Sequence, residues 1–152
     1  MMPVPTDLLY SAWISILAFC TVITLYTDIK WYWIPYELIG IAAVVNIAAW
    51  AGNLVGPDWY MAGVISIAFL IAAWVFPKGL GAGDGLLIAA LCIGCQGQTA
   101  YVMVVTAFAA AAVFALIHTV WAGKGVIPFG PFIWGGWWTA WGVGETILSW
   151  IG

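Results

Sequence analysis

The segment Gly81-Ala82-Gly83-Asp84-Gly85-Leu86-Leu87-Ile88-Ala89-Ala90-Leu91-Cys92-Ile93-Gly94 decides how this chain folds. Read as a loop, it separates five apolar runs. Read as a short helix from Asp84 to Gly94, it makes a fourth run among six. It is shorter than the roughly 20 apolar residues that an unaided spanning helix needs. It also opens with a carboxylate behind two glycines. A carboxylate at the edge of a lipid interior is costly to keep charged, which makes it a candidate for function. Glycines there let the backbone turn sharply and let another segment come close.

The chain around this segment is apolar almost throughout. Of its 152 residues, 66% are hydrophobic and only 6% are charged. A soluble domain carries about 25% charged residues, and so few could not cover a surface facing water. The composition predicts an integral membrane protein. The length predicts one membrane-embedded domain, 1–152, and leaves little room for a separate soluble one. Residues 1–7 hold no Lys or Arg, so the first apolar run reads as a retained span and not as a cleaved signal peptide. Twelve Trp and six Tyr suit long membrane–water boundaries.

Six spans are expected, at roughly Leu8 to Tyr26, Tyr36 to Gly52, Trp59 to Phe76, Asp84 to Gly94, Thr99 to Trp121 and Phe132 to Ile151. The breaks between them carry turn chemistry: Ile34-Pro35, Gly56-Pro57, the stretch from Pro77 to Gly83, the stretch from Gly94 to Gln98, and the stretch from Gly123 to Pro131. All are short, so neighbouring spans should run antiparallel. The fold class is therefore an all-α, six-helix membrane bundle with short loops.

Parity then sorts the charges. Loops one, three and five must share one face. The three basic residues of the chain, Lys30, Lys78 and Lys124, fall one in each. The positive-inside tendency makes that face cytoplasmic and puts both termini outside. Without the short fourth span, Lys124 would land on the wrong side. Asp7 and Asp58 fall on the outer face, and Asp28 and Asp84 on the cytoplasmic one. Asp28 is expected just beyond span one, and Asp84 at the opening of span four. Side-by-side packing of those two spans would bring the acids together.

Two readings of the acids stand side by side. Each could cap a helix end, since Asp is favoured at an N-cap. Alternatively they form a pair. Two carboxylates in one small site cannot easily both stay ionised. The charged one could draw a proton from water while the protonated one donates to a carbonyl oxygen, as in aspartic proteases.

Three segments carry a family resemblance, in order: Asp28-Ile29-Lys30 followed by Ile34-Pro35; Gly81 to Asp84; and Ile127-Pro128-Phe129-Gly130-Pro131-Phe132. Together they resemble the membrane part of the type IV prepilin leader peptidases, within the broader GxGD aspartyl proteases. The resemblance implies that Asp28 and Asp84 are the catalytic pair. It implies that Gly81, Gly83, Lys30, Pro128, Phe129, Gly130 and Pro131 shape the site, although the 127–132 segment could equally serve packing. It implies cleavage of a type IV pilin-like or pseudopilin precursor, with a short basic leader, at the cytoplasmic face of a bacterial inner membrane. No cofactor, metal or nucleic acid is expected.

The chain departs from the family pattern at Trp31, Tyr32 and Trp33, where basic residues are common, at Tyr36, and at Leu86. These changes bear on substrate preference more than on the reaction. The cysteine-rich insert linked to methylation in many members has no place in this chain, so no methyltransferase activity is expected. Cys92 and Cys95 have C-x-x-C spacing, but read best as small apolar filler, as does Cys20. His118 reads as a packing residue in span five. Glu37 suits the first turn of a helix. Glu145 lies towards the outer side, and Trp137, Trp138 and Trp141 read as packing and lipid contact. Two other classes compete: a cation channel or transporter with buried acids, and an inactive or structural relative in a secretion machine.

Overall fold

Helices follow one another along the whole path of the computed structural model, which describes residues 6–76, 80–122 and 125–151. Lys78 and Lys124, and with them two thirds of the charge argument above, lie outside the described residues. The helices are α1 (Thr6–Trp31), α2 (Tyr36–Ala51), α3 (Trp59–Val75), α4 (Ala82–Cys92), α5 (Thr99–Ala122) and α6 (Gly130–Ile151). No strand occurs among the described residues.

The boundaries have local causes. α1 runs five residues past the expected Tyr26, because nothing in Thr27 to Trp31 breaks it. It stops where Tyr32 turns left-handed at φ 53°, its N–H bonding back to the carbonyl of Asp28 at 2.9 Å. Asp28 therefore sits in the last turns of α1, not beyond it. Pro35 stands at the N-cap of α2, with extended backbone and no N–H to leave orphaned. Asp58 caps α3, its Oδ1 accepting from the amides of Tyr60 at 3.0 Å and Met61 at 3.1 Å. α6 starts at Gly130, two residues earlier than expected, and so takes Pro131 into its first turn.

The short segment is a helix, and it lies at the centre. Its 11 residues rise only about 16 Å. Yet Gly85, Leu87, Ile88, Ala90, Leu91 and Cys92 are all buried, because α2, α3 and α6 pack around it. A helix enclosed by other helices need not match a bilayer's thickness. Among the described residues, two helices, α1 and α5, are long and apolar enough, by length and composition, to cross a membrane.

Small residues set the closest approaches. On α6, Gly136, Ala140 and Gly144 recur every fourth position and are all buried. A Cβ on Gly136 would overlap the Met103 carbonyl oxygen of α5 and come within 2.9 Å of Ala107 Cβ, and one on Gly144 would lie 2.8 Å from Thr99 Cγ2. That stripe lets α6 lie along α5. Gly85 does the same for α4 on α3, where a Cβ would sit 3.1 Å from the Phe69 carbonyl. A fully buried asparagine ties three helices: Trp13 Nε1 donates to Asn46 Oδ1 at 2.9 Å, and Asn46 Nδ2 donates to the Ala90 carbonyl at 3.0 Å.

The connections sort into two ends, as parity requires. At one end the turns after α2 and α4 meet, through Asp58 N–H to Gly97 O at 3.0 Å and Gly97 N–H to Gly56 O at 2.8 Å. Tyr10, early in α1, accepts from Trp141 Nε1 of α6 at 3.0 Å towards this end. At the other end lie the close of α1 and the starts of α4 and α6.

Candidate active site

Asp28 and Asp84 line one cavity of about 200 Å³, together with Tyr32, Trp33, Ile34, Tyr36, Gly81, Ala82 and Gly83. α1 and α4 are not extensive neighbours. Both instead pack against α2 and α6, which bring their ends together. The acids thus meet through two intermediary helices and not through the direct packing of two spans.

Each acid has one oxygen fixed by a glycine amide. Gly130 N–H, at the first position of α6, donates to Asp28 Oδ2 at 2.7 Å. Gly81 N–H donates to Asp84 Oδ2 at 3.1 Å. Both amides belong to helix N-termini, whose partial positive charge favours a carboxylate. Asp84 is not itself an N-cap. Gly81 holds that place, and Asp84 reaches back to it from the third helical position. Neither Oδ1 takes a hydrogen bond from a described residue, so each acid keeps an oxygen for a ligand in the cavity. Asp28 is 5% exposed and Asp84 is half-buried. Both carboxylates border the same cavity.

Gly130 has a steric as well as a donor role. A Cβ there would lie 2.9 Å from Asp28 Oδ2 and 3.2 Å from Ile34 Cδ1. Phe129 supplies the carbonyl that accepts from Phe132 N at 3.0 Å and Ile133 N at 3.2 Å, which starts α6. Its ring packs 4.8 Å from that of Phe108. Pro128 and Pro131 are half-buried beside it. Gly83 faces Ile34, where an added Cβ would make an ordinary 3.5 Å contact. Ile34 is 4% exposed and lies against Gly83, beside Asp84, and against Gly130, the donor to Asp28. Its place at the hub of the site was readable only as half of an Ile-Pro pair.

Lys30 does not line this cavity. Its Nζ donates to Tyr26 Oη at 2.9 Å and lies 4.7 Å from the Trp31 ring centre, on the outer face of α1. His118 stacks near Phe114, with centroids 6.0 Å apart, and Glu37 is exposed in the first turn of α2. Cys20, Cys92 and Cys95 are free and buried. Burial pushes the Cys95 thiol, in the turn after α4, above its usual range, which leaves it a poor nucleophile. No group of three or more His, Cys, Asp or Glu placed to hold a metal ion occurs among the described residues. Trp137 is fully buried, while Trp138 Nε1 bonds Thr21 Oγ1 at 3.1 Å, so both are used in packing α6 on its neighbours.

No curated protein and no solved structure matches the chain. The sequence profile of the type IV leader peptidase family does match, over residues 14–116. That is more than half of the chain and takes in both acids, Ile34 and the glycines before Asp84, while the 127–132 segment falls beyond it. With this match over the helices that build the cavity, the chain belongs to the type IV leader peptidase family, a family of peptidases.

Proposed function

We propose that the protein is a membrane aspartyl endopeptidase that removes the leader from a pilin-like precursor. The observation that carries this reading is the cavity shared by Asp28 and Asp84, each with one oxygen held by a glycine amide and the other left open. One carboxylate, ionised, takes a proton from a water molecule. That water attacks the carbonyl carbon of the scissile peptide. The other acid, protonated, donates to the carbonyl oxygen, giving a tetrahedral diol. Return of a proton to the amide nitrogen then breaks the C–N bond. The pair works as one titrating unit, so neither acid has a fixed role.

A bilayer setting is supported by the outer surface. Phe19, Leu116, Val120 and Trp121 are among many exposed apolar side chains, far more than a water-facing monomer displays in one patch. Six crossings would place the cavity at the end that carries Lys30, and the lysine rule makes that end cytoplasmic. A precursor with a basic leader and an apolar helix would then offer its cleavage site at that face, the helix lying in the membrane.

The test is co-expression with candidate pilin-like precursors, reading the new N-terminus by mass spectrometry. Cleavage is expected with the wild-type protein and is lost in Asp28→Asn and in Asp84→Asn, while both variants still insert. Retained cleavage in either variant rules out the paired mechanism.

A further inference from the structure

Part of the cavity's lining is the turn between α1 and α2. Its anchor is Ile34, buried between Gly83 and Gly130. Tyr32, Trp33 and Tyr36 also line the cavity, yet keep 56%, 51% and 55% of their surface exposed. One side chain of the turn thus lies against the start of α4, beside Asp84, and the start of α6, whose Gly130 amide holds Asp28. Three aromatic residues around it stay free at the mouth.

The backbone of this turn is strained. Tyr32 holds φ 53°, a left-handed conformation that residues with a Cβ rarely adopt. Its N–H, bonded to the carbonyl of Asp28 itself, keeps it there. Strain of this kind persists where the surroundings over-determine it, and it clusters at ligand sites. The charge pattern is one-sided as well. Lys30, three residues before Trp33, is turned outward onto Tyr26 and Trp31, and no described basic side chain lines the cavity. Two carboxylates beside three aromatic residues make an environment for a cation. Carboxylates attract it, and ring faces stabilise it where water is partly excluded.

We infer that Tyr32, Trp33 and Tyr36 determine specificity by seating a lysine or arginine side chain of the substrate's leader against their rings, beside the acids. This rests on the peptidase reading above and adds to it which residues of this chain read the leader. It also gives a use to Tyr32 and Trp33, the cavity-lining part of the aromatic stretch: their ring faces hold the cation.

The experiment uses the full chain in liposomes and two precursor peptides, one with its basic leader and one with those residues replaced by glutamine. Trp33→Leu and Tyr36→Leu are each expected to lower kcat/KM for the basic peptide about tenfold, chiefly through KM. Cleavage of the glutamine peptide should fall markedly less, so that the preference for the basic peptide shrinks severalfold. Trp33→Phe, which keeps a ring, should retain the preference for the basic peptide. Equal losses on both peptides would mean that the turn only holds the fold, and would overturn the inference. So would no loss on either. Cleavage of neither peptide by the wild-type protein would sink the peptidase reading together with this one. Loss of cleavage in Asp28→Asn, with Trp33→Leu unaffected, would sink this one alone.

Discussion

The amide of Gly130 donates to Oδ2 of Asp28 at 2.7 Å, joining residues 102 positions apart. The start of α6 thereby fixes an acid at the end of α1. Because the glycine has no Cβ, the amide can come this close to the carboxylate and to Ile34 at once.

Gly130→Ala should therefore disturb the site more than the fold. The new methyl would push on Asp28 Oδ2 at 2.9 Å and on Ile34 Cδ1 at 3.2 Å. Cleavage of a pilin-like precursor is expected to fall roughly 10- to 100-fold, the loss that follows when one charge-assisted bond is misplaced. Helicity by circular dichroism should be unchanged. Wild-type rates in this variant would show that the contact is incidental.

The two acids should behave as one unit. The double variant Asp28→Asn/Asp84→Asn is expected to be no less active than either single variant, since each alone removes the pair. The rate of the wild-type protein should be bell-shaped in pH, because the pair works only while it shares one proton. A double variant much worse than both singles, or a rate with one titration limb, would count against shared use.

Asn46 should matter for stability and not for chemistry. It lines neither acid, but satisfies Trp13 Nε1 deep in the bundle. Asn46→Leu leaves that donor buried without a partner, at a cost of about 1–3 kcal/mol. The midpoint of thermal unfolding in detergent should drop, and cleavage should persist wherever the variant is folded. An unchanged midpoint would deny the bond any structural weight.

Two adjacent glycines of α6 give a paired test. Gly136→Val meets the Met103 carbonyl and Ala107 of α5, and should destabilise by about 1–3 kcal/mol through overpacking. Gly135→Ala meets nothing within 4 Å and should be neutral, or stabilising by up to about 1 kcal/mol from helix propensity. Melting curves of both variants read the difference, and similar midpoints would contradict the close packing of α5 on α6.

The sequence by itself determined the helices and their order. Each break carries its own signal within a few residues: Ile34-Pro35, Gly56-Pro57, the glycines before Asp84, the polar turn from Gly94 to Gln98, and the Pro-Phe-Gly-Pro run where α6 begins. Such signals are local, because a backbone turn is a matter of nearby φ and ψ and of the few hydrogen bonds at a helix end. The sorting of connections into two ends follows from the count of helices, and it too was legible. The tertiary structure alone decided how the acids meet, by way of α2 and α6 and not through direct packing of their own helices. It alone turned Lys30 outward, set Ile34 between Gly83 and Gly130, and chose Gly85, Gly136 and Gly144 as the points of closest approach. In a chain this apolar, every face of a helix is fit for burial, so hydrophobic pattern cannot say which face meets which neighbour. That choice is made by small residues and buried hydrogen bonds whose partners lie tens of positions away, such as Asn46 with Trp13 and Ala90.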